Sequence, residues 1–217
     1  MKLCRIYLLS WIRETQTLAA VFRNRPRAAI EFAQAGQSVA YERSIMKVRL
    51  LTQEARAHAR LGERKLAEKC MAAVERSFND IDKPLTTSIL SFDRPYLPYY
   101  AGTCYSWLGK PNLAAKCSRE AIALCDHAPD NWPVARVFAR IDLAEALVQQ
   151  NCLDEALELA HECLNICVYG RRTAPMQSRP RYLLANLNAT MGVPQTHDLA
   201  EKFHTIFRDG MSSTNGS

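Results

Sequence analysis

Eight cysteines, five histidines and a set of arginines interleaved with tyrosine and tryptophan are the side chains of this 217-residue sequence with chemistry to offer. Cys163 and Cys167 stand four apart, with His161 close by. That spacing puts both sulfurs on one helix face, where they could hold half of a zinc site. No CxxC occurs, and no second pair has ligand spacing. Every cysteine (Cys4, Cys70, Cys104, Cys117, Cys125, Cys152, Cys163, Cys167) falls inside a helical pattern. Free cysteine behaves as a small hydrophobe, so core packing is the expected role. His58, His127, His161, His197 and His204 are scattered. There is no glycine-rich phosphate loop, no HExxH, no GxSxG and no pair of carboxylates in a plausible cleft. The sequence reads as a non-enzyme, with no catalytic residue, no cofactor and no metal assigned.

The elements that carry these residues are helices. The chain is 48% hydrophobic and 23% charged, too apolar for disorder. Its 8 glycines and 10 prolines, with abundant Ala, Leu, Arg and Glu, favour helices over a sandwich or barrel. No apolar run approaches the ~18 residues of a membrane span. The stretch Ile6 to Leu9 is too short for a signal peptide and lacks a small-residue cleavage site, so a cytoplasmic protein is expected. The net charge of +6 is concentrated at one end. Residues 1–80 hold 15 basic and 8 acidic side chains, which form either a solvated helix surface or one that could meet nucleic acid or an acidic partner.

A repeat organises the helices. Glu54 to Gly62 precedes a helical stretch from Glu63, and Ala101 to Gly109 precedes another near Pro111. Both have a small residue seven before the glycine (Ala55, Gly102), His58 or Tyr105 four before it, and alanine five after it (Ala67, Ala114). A third copy runs through Ala144, Leu147, Asn151 and Ala156, an earlier one has Asn24 with Ala29, and a looser one has Gly192. The turn positions are separated by 38, 47, 42 and 41 residues. Gly and Asn suit them because the chain leaves each first helix through a left-handed conformation. Helix, tight turn and second helix is the tetratricopeptide pattern, whose period is ~34 residues, here with longer links. The links expected as loops are 79–93, with Pro84; 128–133, with Pro133 at a helix start; and 170–180, with Arg171 and Arg172. The expected fold is an all-α, right-handed superhelical solenoid of about five antiparallel helix pairs over 1–208, with a disordered tail over 209–217.

In such repeats the first helix of each pair lines a concave face. Helical register then nominates Arg49, Thr52, Arg56 and Arg60; Tyr96, Tyr99, Thr103 and Trp107; Phe138, Ile141, Glu145 and Gln149; and Arg179, Tyr182 and Asn186. Arginine beside tyrosine and tryptophan combines charge-assisted hydrogen bonds with rigid contact area. A groove so lined would suit an acidic peptide or an anionic small molecule; alternatively the aromatics, Tyr96 and Tyr99 above all, are core between neighbouring units. The carboxylate clamp of chaperone-binding repeats needs Lys and Asn where this chain has Thr52 and Arg56, so that clamp is not expected.

The stretches Gln53 to Gly62 and Ala73 to Phe78, then Leu90 to Asp93 leading to Gly102 to Gly109, and finally Ser178 to Arg181 with Asp198 to Phe203, resemble the C-terminal tetratricopeptide-like region of actinobacterial Xre-type helix-turn-helix regulators. The resemblance runs from about Trp11 to Phe207. It implies ligand sensing, and homodimerisation or pairing with a full-length relative, in transcriptional regulation. The family's DNA-binding domain has no counterpart in these residues, which leaves DNA contact in doubt. The expectation is a regulatory repeat protein that binds a protein, peptide or small anionic signal. The rival is a nucleic-acid-binding regulator acting through the basic N-terminal part or as a fragment of a longer protein.

Overall fold

The computed structural model describes residues 2–81, 92–127, 133–169 and 174–212. All ten elements among them are helices, and all five expected turns are left-handed. Asn24 has φ 54°, Gly62 73°, Gly109 63°, Asn151 60° and Gly192 95°, and no other described residue has positive φ. A residue with a β-carbon strains there, and Asn and Gly tolerate the conformation best. The turns divide the helices as the repeat requires: α1 (Lys2–Phe22) and α2 (Pro26–Gln37), α3 (Ile45–Arg60) and α4 (Arg64–Asn79), α5 (Tyr96–Trp107) and α6 (Pro111–Asp126), α7 (Pro133–Gln149) and α8 (Leu153–Tyr169), α9 (Ala174–Met191) and α10 (Val193–Ser212). Prolines open α2, α6 and α7, where the missing N–H costs nothing. Ser44 caps α3, its Oγ accepting from the Lys47 N–H.

The helices pack into two compact units, Met1–Gly109 and Lys110–Ser217. In the first unit α3 is the hub. It packs against α1, α2, α4 and α5, and every residue from Leu51 to Ala59 is buried. In the second unit α7 has the same position, packed against α6, α8 and α9. Its Val137 to Ala144 is buried without a break. First helices therefore supply most of each core, and many side chains that register assigned to an open face are packed instead.

Two boundaries differ from the sequence reading. The expected link over 170–180 ends sooner, because α9 starts at Ala174 and carries Pro180 inside the helix. Pro175 already provides a favourable start one residue in. At the other end α10 continues through Asp209 to Ser212, where the tail was expected to begin. Most of the 79–93 and 128–133 links, and residues 213–217, lie outside the described residues.

Close helix approach needs small residues, and Gly36 is the tightest case. A β-carbon there would lie 2.7 Å from Leu50 Cδ2 and 2.9 Å from Arg13 Cβ. Gly36→Ala is expected to lower stability by about 1–3 kcal/mol through overpacking, read by thermal unfolding. Gly62→Ala has open space around its β-carbon. It should cost only the left-handed strain of roughly 1–2 kcal/mol.

Candidate binding site

The arginines of the two units fall into two kinds. Among the described residues, six pair with carboxylates of their own unit, and the three least exposed of these, Arg49, Arg140 and Arg179, tie helices together. Arg49 donates from Nε and Nη2 to Glu14 Oε1 at 3.2 and 2.8 Å, joining α3 to α1. Arg140 donates to Asp126 Oδ2 at 2.7 Å and Glu162 Oε2 at 2.9 Å, joining α7 to α6 and α8. Arg179 donates to the fully buried Asp142, joining α9 to α7, and lies 4.9 Å from the Phe138 ring centroid. Partial burial pushes the Asp126 carboxyl up, but hydrogen bonds and charge from Arg140 and then Arg136 outweigh it and hold it below its ordinary value.

Arg56 is of the other kind. It is only 3% exposed, yet it has no carboxylate partner among the described residues. Its Nη1 donates to Gln53 Oε1 at 2.7 Å, and its buried Nε has no hydrogen-bond partner. Instead the guanidinium is ringed by aromatic faces, 5.2 Å from Trp107, 5.3 Å from Tyr100 and 5.9 Å from Phe22. One helical turn on, the exposed Arg60 lies over Trp107 at 3.7 Å. Two guanidinium groups thus share one indole on α3 and α5. Ring quadrupoles attract cations, by roughly 0.5–2 kcal/mol each, but they do not neutralise a charge.

The remaining nominated residues are placed as follows. Tyr99 and Thr103 are buried, and Thr103 Oγ1 donates to the Tyr99 carbonyl within α5. Tyr96 is half-buried in an aromatic cluster with Phe92, Tyr99 and Tyr100. The alternative of core aromatics therefore describes these two tyrosines. Thr52, Phe138 and Ile141 are also buried. In the second unit Glu145 and Asn186 are half-buried, Gln149 is exposed, and Tyr182 is 62% exposed. Of the nominated set, Arg56, Arg60 and Trp107 bring two guanidinium groups to one ring, while Arg179 meets Phe138 and Tyr96 meets Tyr99. Arg49 and Arg179 hold helices together within their own units.

Sequence reasoning missed Tyr100 and Phe22. Tyr100 lies one turn beyond Tyr96 and seven residues before Trp107, so it shared their stripe, and the adjacent Tyr99 was chosen in its place. Phe22 comes from the end of α1 and carries no local signal.

The cysteine pair has no place in a site. Cys163 is buried with Sγ 3.6 Å from the Val137 carbonyl, and burial pushes its thiol up. Burial raises Cys167 to about 11. His161 is held down first by burial and then by the Lys202 charge. It does not gather with the two thiols into a metal-binding group.

No family model matches the chain. No curated protein matches it either. Among solved structures it is similar to the crystal structure of a protein from Podospora anserina described as a kinesin light chain with nearly identical TPR-like repeats, at a TM-score of 0.57 and 15% identity, covering 94% of this chain and 96% of that one. The fold is an all-α repeat fold of the tetratricopeptide-like kind.

Proposed function

We propose that this protein is a non-enzymatic repeat scaffold whose N-terminal unit captures an acidic segment of a partner protein at Arg56, Arg60 and Trp107. One observation carries the reading: Arg56 is buried, and no carboxylate among the described residues answers it. An isolated buried ion costs several kcal/mol even after relaxation. A carboxylate brought by a ligand would supply the missing counter-charge, and the exposed Arg60 with the half-buried Trp107 would complete a charged, aromatic anchor. The tetratricopeptide-like fold supports a role in protein interaction, and the excess of basic residues over 1–80 supports an acidic partner. The motif order resembling Xre-type regulators supports placing this capture in transcriptional regulation in the cytoplasm.

The test is an anisotropy titration with a labelled Glu- and Leu-rich peptide, in parallel with its Lys-substituted counterpart and a DNA duplex. Saturable binding of the acidic peptide alone is expected, weakening as salt rises. Arg60→Glu, at an exposed position, should weaken it roughly 30-fold or more while helical circular dichroism is unchanged. Binding of the duplex alone, with a steep salt slope, would replace this reading with the nucleic-acid one.

A further inference from the structure

Glu54, His58 and Cys70 are the residues that, among the described ones, bring three metal-ligand atoms of different kinds together, all within 4.8 Å of one another. They lie on the side of α3 that meets α2 and α4, whereas the Arg56 stack engages α1 and α5. Glu54 and His58 are both buried, one turn apart on α3, and Cys70 joins them from α4.

Three features set this cluster apart from packing. The first is the orientation of His58. Its Nδ1 is 2.6 Å from Glu63 Oε2, which leaves Nε2 facing Glu54. A carboxylate on the far ring nitrogen is the arrangement that fixes the tautomer and orientation of a metal-binding histidine. The second is a distance. His58 Nε2 is 3.7 Å from Glu54 Oε1, too long for a hydrogen bond. Bonds of about 2.0–2.3 Å at tetrahedral angles set donors ~3.4–3.7 Å apart around one ion. The third is the support of the carboxylate. Gln34 Nε2 donates to Glu54 Oε1 at 2.8 Å, and Gln37 Nε2 donates to Oε2 at 2.5 Å. These amides hold the carboxylate from α2.

We infer that Glu54 Oε1, His58 Nε2 and Cys70 Sγ form a zinc site that ties α3 to α4. Imidazole nitrogen, thiolate sulfur and one carboxylate form the donor set that suits this borderline-soft, four-coordinate ion, with a water for the fourth position. Binding requires the thiol to give its proton to solvent. Burial first, then the Glu54 charge, push Cys70 up to about 12, and a dication beside the sulfur reverses both effects. Affinity should therefore rise with pH, by up to about tenfold per pH unit.

The experiment is a titration of chelator-stripped protein with Zn²⁺ alone, followed by metal analysis and by Co²⁺ spectroscopy. One ion per chain is expected, with a thiolate-to-cobalt charge-transfer band and a higher melting temperature. Cys70→Ser and His58→Gln should each weaken binding on the order of 100-fold or more, and Cys70→Ser should remove the band. Glu63→Gln, one atom shell further out, should weaken binding roughly 10- to 100-fold. Cys70 is half-buried, and circular dichroism of each variant separates loss of metal from loss of fold. No stoichiometric binding by the wild-type protein would overturn the inference. So would binding that survives in Cys70→Ser and disappears in Cys163→Ser.

Discussion

Arg49→Met is expected to lower the stability of the protein by about 3–5 kcal/mol. The cost comes from what remains. Glu14 has a side chain only 3% exposed, and its carboxylate has Arg49 as its partner. Removing one member of a buried pair leaves an uncompensated charge, which is the expensive outcome. The pair itself contributes much less. A Glu14→Leu, Arg49→Met double variant should recover most of the loss, because replacing both ions with apolar groups of similar volume is close to neutral. Chemical unfolding of the four proteins in the cycle measures this. A single variant as stable as the wild type would mean that Glu14 is answered by something other than Arg49.

Arg56→Met is expected to do the reverse. The same chemical change, seven residues further along the same helix, removes a buried charge that has no carboxylate partner among the described residues. Methionine fills the space beside Phe22, Tyr100 and Trp107 with a flexible, polarisable chain that makes favourable contacts with aromatic rings. The desolvation cost of the guanidinium disappears, while its cation–π attraction and one hydrogen bond to Gln53 are lost. Stability should be unchanged or higher. Affinity for an acidic peptide should fall by about 2–4 kcal/mol, roughly 30- to 1,000-fold, as for a central arginine anchor. Stability gained where activity is lost marks a residue retained for binding.

The contrast between Arg49 and Arg56 also shows what a sequence can reveal and where it stops. The turns at Asn24, Gly62, Gly109, Asn151 and Gly192 were legible because a left-handed residue is selected locally, by the cost of a β-carbon. Helices were legible from their periodicity, and the repeat from the recurrence of small residues around the turns. The proposed site was legible in part, since Arg56, Arg60 and Trp107 follow from register within α3 and α5. In the sequence Arg49 is indistinguishable in kind from Arg56. Its partner Glu14 lies 35 residues away, and Asp142, the partner of Arg179, lies 37 away. Which arginine is neutralised depends on how helices stack, and no spacing rule contains that. The same holds for Cys70. The visible pair was Cys163 and Cys167, on one helix, whereas Cys70 meets His58 and Glu54 only once α4 has folded back on α3. Pro180 misled in the opposite direction, because a proline that marks a break in most helices is accommodated inside α9.

The central claim is that Arg56 is held buried and without a carboxylate partner for a ligand and not for the fold. Calorimetric titration of wild-type and Arg56→Met proteins with the same acidic peptide, alongside their thermal unfolding, tests it most directly. One peptide per wild-type chain is expected, with binding by Arg56→Met weakened roughly 30- to 1,000-fold and a melting temperature for the variant equal to or above that of the wild type. Equal binding by the two proteins, or an Arg56→Met variant destabilised as strongly as Arg49→Met, would contradict it.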